Sequence, residues 1–320
     1  MKKIVAVCAC PMGLAHTFMA ADSLEKAAKE LGVEIKIETQ GADGIQNELT
    51  RKDIEESDAI ILALAITPQG MERFEGYDPY EITLKEAIRE GKEILEEIQD
   101  MGNFYKRKVV NYRGTTSDSK EYYTEVVAEW ILKNIYLFDY IKPITREKSY
   151  KADSHDGKIK NEDSGREEEM IAMKLFDSSQ NQGKVFDIIG KIIDYQTPLK
   201  DIQTDKAGKI DLLAYNEKEN PKTLRILELK RPDSKETMLR CVLEAYTYLK
   251  VVDKDKLLKD FGLPENTKIK ACPFVFYGKE QYREMQAIKD DRENLGKLIE
   301  KLEIEVIYLK EENGEYIVKK

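Results

Sequence analysis

The sequence predicts an α/β protein of two domains: an N-terminal parallel four-stranded sheet with helices on both faces, then an α/β core on a mixed sheet. Three patterns carry this expectation. Apolar runs of strand length alternate with segments of helical spacing near the N-terminus, the order of parallel β-α-β units. A polar, aperiodic stretch at 145–163 interrupts that pattern. Beyond it, two strand-like runs flank a turn-rich segment and lead into helix and strand again. A chain of 320 residues suits two domains of ordinary size. The expected boundaries are 1–100, 101–160 for a helical connector and polar linker, and 161–320.

Each element has its own signal. Lys3 to Cys8 is a short apolar run before a glycine-containing turn. Leu14, Phe18, Ala21, Leu24, Ala28 and Leu31 recur at helical spacing, and Gly32 closes that helix. Val33 to Glu38 alternates as a strand, Thr50 starts a short helix, and Ala59 to Ile66 reads as a buried parallel strand. Thr83-Leu84-Lys85-Glu86 is a capping box opening a helix to about Gln99. After the break at Met101-Gly102-Asn103, Val126, Val127, Trp130, Ile131 and Ile135 mark an amphipathic helix. Ser164-Gly165-Arg166-Glu167 is another capping box, opening a helix with Ile171, Ala172, Leu175 and Phe176. Strands are expected at Lys209 to Tyr215, Thr223 to Lys230, Ala271 to Phe276, Glu303 to Leu309 and Tyr316 to Val318. Helices are expected at Ser234 to Lys250 and up to about Lys301.

Composition excludes several classes. Charged residues make up 35% and hydrophobic residues 41%, as in a soluble globular protein. No run approaches the roughly 20 apolar residues of a membrane span, so the cytoplasm is the expected location. The N-terminal apolar run is too short for a signal peptide. Cys8, Cys10, Cys241 and Cys272 form no CxxC pair, which argues against structural zinc and a disulfide framework. His16 and His155 are the only histidines, too few for a histidine-rich metal site. His155, in the polar stretch, is expected to be solvated, as is Lys106-Arg107-Lys108. Residues 1–100 hold 11 basic and 21 acidic residues, the remainder 41 and 40. Only the second part is free of a strong bias against nucleic acid.

Cys10-Pro11-Met12-Gly13-Leu14-Ala15-His16-Thr17 joins the first strand to the first helix. Free N–H groups and the helix dipole favour an anion there, whether thiolate or phosphate. A cysteine so placed is a candidate nucleophile. Pro11, Gly13, His16 and Thr17 complete a candidate phosphate-binding loop. With Glu38-Thr39-Gln40-Gly41 and Glu72-Arg73-Phe74, this loop resembles the enzyme IIB component of the fructose-type phosphotransferase system. The resemblance implies a Rossmann-like sheet. It also implies that Cys10 takes a phosphoryl group from a phosphohistidine carrier protein and passes it to a sugar. Thr67-Pro68-Gln69-Gly70 is looser than the family pattern.

Asp211 follows Ile210, and Glu228-Leu229-Lys230 lies on the next expected strand. The midpoint of Asp211 and Glu228 falls in the turn segment 216–222, so a hairpin sets the two carboxylates side by side. Period-two alternation then puts Glu228 and Lys230 on one face. Two carboxylates and the Leu229 carbonyl make a hard oxygen site for Mg²⁺ or Mn²⁺. A helix glutamate, an Asp, a Glu-x-Lys and a following helix, in that order, resemble the PD-(D/E)XK nuclease superfamily. Ile210 replaces the usual proline. The resemblance implies a restriction-endonuclease-like core, DNA as substrate, and Asp211, Glu228 and Lys230 as catalytic residues. The helix glutamate is open among Glu167, Glu168 and Glu169. Glu168 shares a face with Ile171 and Leu175 and is favoured as the metal ligand. Glu244 and Tyr248, four apart on the next helix, match that family's supporting motif. The expected function is a metal-dependent nuclease carrying a IIB-like control domain, with a IIB phosphocarrier as the alternative. A homodimer stays open.

Overall fold

The computed structural model describes residues 3–11, 14–77, 79–152, 155, 167–201 and 208–320. They form two compact units, Met1–Gly102 with Tyr136–Tyr140, and Asn103–Ile135 with Ile141–Lys320.

In the first unit the elements are β1 (Lys3–Ala9), α1 (Leu14–Leu31), β2 (Glu34–Gly41), β3 (Gly44–Gln46), α2 (Arg51–Glu55), β4 (Ala59–Leu64), β5 (Tyr80–Thr83) and α3 (Leu84–Asp100). Strand order is β3-β2-β1-β4-β5. The four strands β2, β1, β4 and β5 are parallel. The expectation of four parallel strands needs one correction: β3 adds a fifth, antiparallel to β2. Its three residues are all exposed, so no buried alternation marks it in the sequence. Helices α1 and α3 pack together so closely that a side chain at Gly91 would strike Ser23. Val5, Val7, Ile60 and Leu62 of the strands bury instead against Leu49, Ile54 and Phe74. Gly32, at φ 66°, lets the chain leave α1. Thr83 and Glu86 exchange the capping-box hydrogen bonds at the start of α3.

The second unit contains α4 (Tyr123–Lys133), α5 (Glu167–Gln180), β6 (Lys191–Pro198), β7 (Lys209–Asn216), β8 (Thr223–Leu229), α6 (Met238–Val251), α7 (Lys254–Asp260), β9 (Lys268–Phe276), α8 (Glu280–Gln286), α9 (Glu293–Lys301), β10 (Ile307–Glu312) and β11 (Glu315–Lys319). The sheet runs β11-β10-β9-β8-β7-β6 and is mixed: β8, β9 and β10 are parallel, the other neighbours antiparallel. One face of β7 and β8, through Leu212, Leu227 and Leu229, buries against Ile171, Leu175 and Phe176 of α5. Alternation turns Glu228 and Lys230 to the other face, where α6 packs on β8 and β9.

Several expectations change here. Strand β6 and helix α7 had no reading in the sequence. The helix expected up to Lys301 is two helices, α8 and α9. The segment 103–135, expected as a connector, clusters with the second unit. The Val110 carbonyl and the Asn111 side chain accept bonds from the hydroxyl and amide of Thr237, the N-cap of α6. Arg113 donates to the Lys235 and Glu236 carbonyls and pairs with Glu280 and Glu284. Part of the expected polar linker is also packed. Tyr150 is fully buried, bonding the Asp253 amide through its hydroxyl and Asp260 through its own amide. His155 is not solvated as expected: its Nδ1 lies 2.7 Å from Asp194 and its ring stacks on Tyr195. The capping box expected at 164–167 lies outside the described residues except for Glu167, and Gly13 of the cysteine loop lies outside them too.

Arg225 of β8 is buried between two carboxylates, Glu219 and Glu305, each at 2.7 Å. Burial works against the Glu305 carboxylate, but bonds from Arg225 and Lys320 pull its pKa down to about 2. A lowered folded-state pKa gives stability that is present above the ordinary carboxylate range and lost as pH falls towards 2. Glu305→Gln should therefore cost on the order of 3 kcal/mol near neutral pH. The gap in Tm from wild type should narrow steadily as pH falls from about 4.5 towards 2. Thermal unfolding from pH 2.5 to 7 checks this, and a pH-independent gap would refute it.

Candidate functional site

Cys10 is the first residue past β1 and is free. Its amide still donates to the Gln40 carbonyl, 3.0 Å away, extending the β1–β2 ladder by one step. Helix α1 begins four residues later, so Cys10 lies in the strand-to-helix connection that precedes the helix's N-terminal N–H groups, and its side chain is buried. Thr17 is buried in the first turns of α1 and His16 is exposed. Cys8, two residues earlier, is fully enclosed in β1. Burial, with Glu25 adding to it, pushes that thiol up to about 12, so it stays protonated.

The other two motifs of the first unit form a scaffold beside this loop. Glu38, at the buried end of β2, receives Arg73 through both guanidinium NH groups at 2.9 Å. It also accepts from the Leu49 amide and from Gln40. Gln40 in turn accepts from the Gln69 amide and donates to the Gln69 carbonyl. The segment 67–70 is thereby tied to β2 although its sequence is loose. A Cβ at Gly70, whose φ is 73°, would meet the Arg73 side chain at 2.8 Å. Burial opposes ionisation of Glu38, yet these donors hold it below the ordinary carboxylate range.

In the second unit the hairpin forms as its spacing implies. Leu212 pairs with Leu227, one step short of placing Asp211 across from Glu228. Lys230, the first residue past β8, has its ammonium 2.9 Å from Glu228, 2.8 Å from Glu244 and 3.1 Å from Glu236. Tyr248 reaches the other Glu244 oxygen at 3.4 Å. Asp211 accepts from the Leu229 amide at 2.9 Å and from the Gln196 side chain at 3.0 Å. Glu168, of the three candidates on α5, accepts from the Arg231 amide at 3.0 Å. Gly208, ahead of β7, has no room for a Cβ, which would lie 2.1 Å from the Tyr248 hydroxyl.

The electrostatics of this cluster are unbalanced. Burial pushes Asp211 up to about 7; Lys230 opposes this and Glu168 adds to it. Burial and then Asp211 and Glu244 raise Glu228 well above its ordinary range. Burial disfavours the Lys230 ammonium, but Glu228 and Glu244 more than compensate and keep it charged. Several carboxylates thus share one cation, and their mutual repulsion raises the proton affinity of Asp211 and Glu228. The Glu228 Oε2 is buried without a hydrogen-bond partner.

Among the described residues, no three His, Cys, Asp or Glu side chains form a ready-made metal cage. The donor set nevertheless fits a Mg²⁺-like ion, which takes one or two carboxylates and completes its shell with water and substrate oxygens. Asp211 and Glu228 offer those carboxylates, and the orphaned Glu228 oxygen is available for a ligand bond. Two contributors went unread in the sequence. Glu236 precedes a helix and looks like a surface acid. Gln196 lies on β6, whose alternation is broken. Lys106 and Arg107 lie over the rings of Tyr105 and Phe104.

Replacing Arg73 tests whether the Glu38 network is structural. Arg73→Ala would leave Glu38 buried and unpaired, and should destabilise the first unit by about 3–5 kcal/mol. Lysine cannot reproduce the two-pronged bond, so Arg73→Lys should recover only part of the loss. Urea unfolding checks this, and a loss under about 1 kcal/mol for the alanine variant would assign the pair to surface energetics.

Residues 5–97 match the family described as the lactose/cellobiose-specific IIB subunit of the PTS system. The PTS system fructose-like EIIB component 1 of Escherichia coli (strain K12) is 62% identical over 100 residues, 31% of this chain and 93% of that protein. The PTS system fructose-specific EIIABC component of Bacillus subtilis (strain 168) is 52% identical over 94 residues, 29% of this chain and 15% of that protein. A solution structure of the enzyme IIB subunit of the PTS system from Escherichia coli K12 is 58% identical and covers 33% of this chain and 98% of its own, with a TM-score of 0.31. No helix among the described residues is long and apolar enough to cross a membrane. Through its N-terminal region, the chain belongs to the fructose-like PTS IIB family.

Proposed function

We propose that the first unit is a phosphocysteine carrier. The supporting observation is Cys10: a free thiol just past β1 and ahead of α1, inside a region that closely matches fructose-like IIB proteins. The Cys10 sulfur attacks a phosphohistidine of a carrier protein. An S–P bond forms, the N–P bond breaks, and the histidine nitrogen leaves with the electron pair. N–H groups at the start of α1, with Thr17 and His16, hold the phosphoryl oxygens before transfer to a sugar hydroxyl. The cytoplasm is the compartment where such donors work. Incubation with the general phosphotransferase proteins and labelled phosphoenolpyruvate should label wild type and leave Cys10→Ser unlabelled. Absence of label on wild type would mean a IIB fold put to another use.

A second reading concerns the second unit, and one observation favours it. Asp211, half-buried, and the buried Glu228, Glu244 and Lys230 converge at the end of a strand with more negative than positive charge. This suits a metal-dependent nuclease acting on DNA. When bound, Mg²⁺ or Mn²⁺ would supply a polarised water and neutralise charge on the phosphate. Asp211 and Glu228 would hold it, with Glu168 as the third candidate ligand. Lys230, kept charged by its carboxylates, stands to orient the attacking water and the phosphate oxygens. Glu244, steadied by Tyr248, sets the position of the Lys230 ammonium. In this reading the second unit acts and the Cys10 unit governs it. Cleavage of plasmid DNA with Mg²⁺ should fall at least about 100-fold in Asp211→Ala and Lys230→Ala. Equal cleavage by both purified variants and wild type would end this assignment.

A further inference from the structure

Strand β6 carries an irregularity where it passes Asp211. Its pairing with β7 slips between Ile192 and Asp194. The neighbours Tyr195 and Thr197 pair with Leu212 and Ile210, so the register brings Gln196 across from Asp211. At that point Gln196 adopts φ 49°, a left-handed conformation that suits glycine and strains a side-chain-bearing residue. Surrounding bonds hold the kink. Asp194 accepts the Thr197 hydroxyl on one oxygen at 2.7 Å and lies 2.7 Å from His155 Nδ1 through the other.

Backbone geometry alone would select glycine at 196, and the chain has glutamine. The question is then what the side chain at this position does. Among the described residues its side chain makes one polar contact, with Asp211: the carboxamide Nε2 donates to Oδ1 at 3.0 Å. The Leu229 amide donates to Oδ2 at 2.9 Å. Each oxygen of Asp211 is thus fixed by one neutral donor and keeps lone-pair capacity for a further ligand. A lysine or arginine in place of Gln196 would fix the carboxylate equally well, but would repel an incoming cation. A neutral amide orients the carboxylate and leaves its charge intact. Strained residues held by their surroundings mark such roles.

We propose that Gln196 is a positioning residue: its carboxamide holds the Asp211 carboxylate in the orientation in which Asp211 and Glu228 accept a divalent cation. The inference rests on the metal-dependent reading of the second unit. Binding of Mn²⁺ to the full-length protein, followed by electron paramagnetic resonance with Asp211→Asn as the blank, tests it alongside Tm. Gln196→Gly relieves the backbone and removes the amide, so Tm should hold or rise while Mn²⁺ affinity falls about tenfold. Gln196→Ala keeps the strain and loses the amide, so it should lose both stability and affinity. A Gln196→Gly protein that binds Mn²⁺ as wild type does would overturn the proposal and leave the metal site standing. So would a Gln196→Gly protein that loses as much stability as Gln196→Ala, because the amide would then be a contact of the fold. Wild type that binds no more Mn²⁺ than Asp211→Asn would sink the metal reading and the positioning role together.

Discussion

A buried ammonium dictates the arrangement of the second unit. Lys230 is 5% exposed, and an isolated charge at that depth is too costly to survive folding. Its carboxylate partners come from three places: Glu228 two residues back on β8, Glu244 on α6, and Glu236 in the turn between them. Each must be delivered by the fold. Helix α6 therefore has to start at a fixed point, and the 110–113 segment fixes it through Thr237 and the carbonyls of 235 and 236. Segment 103–135, remote in sequence, is part of the site's foundation for that reason.

The same protein shows what a closed ion pair looks like, which helps define an open one. Glu38 has both oxygens occupied by Arg73, Gln40 and the Leu49 amide, and its pKa falls. Glu305 is similarly claimed by Arg225 and Lys320. In both pairs every carboxylate oxygen is met, although one guanidinium nitrogen of Arg225 is not. Glu228 differs in sign and in satisfaction. Its pKa rises, one oxygen lacks a partner, and its neighbours are further carboxylates. Counting ion pairs would put all three in one class. Counting unmet acceptors sets Glu228 apart from the two scaffold glutamates.

Much of the first unit was legible because its signals are local. Helical spacing, Gly32 and the Thr83–Glu86 box each declare an element within a few residues. The Asp211–Glu228 hairpin was legible for a related reason, since its turn lies midway between two apolar runs. What stayed hidden depends on irregular or distant contacts. Strand β6 slips register and passes through a left-handed residue, so its apolar positions do not alternate. Residues 103–113 are held by bonds to residues more than a hundred positions away. His155 looked solvated because its partner Asp194 sits on the strand that the pattern did not reveal. Glu168 stood out among three glutamates by its helical face, but its bond to the Arg231 amide could only be seen in three dimensions.

One geometric rule links the two candidate centres. Cys10 is the first residue past β1, and Lys230 the first past β8. Both still donate their amide to a parallel neighbour, Gln40 and Phe274, each at 3.0 Å. A residue in this position keeps the rigidity of the sheet at the point where the chain leaves it, and both side chains stay buried there. Two steps earlier the side chain is locked in the core, as Cys8 shows by remaining a protonated thiol. One step later the ladder ends: Pro11 has no N–H to give, and the Arg231 amide turns to Glu168. Parallel sheets present ligands outside the carboxyl ends of their strands for this reason. That two unrelated chemistries, a thiol and a carboxylate–ammonium cluster, occupy the same station follows from the needs they share. Each is held in a fixed position by the end of the sheet, beside the groups that the following segment delivers.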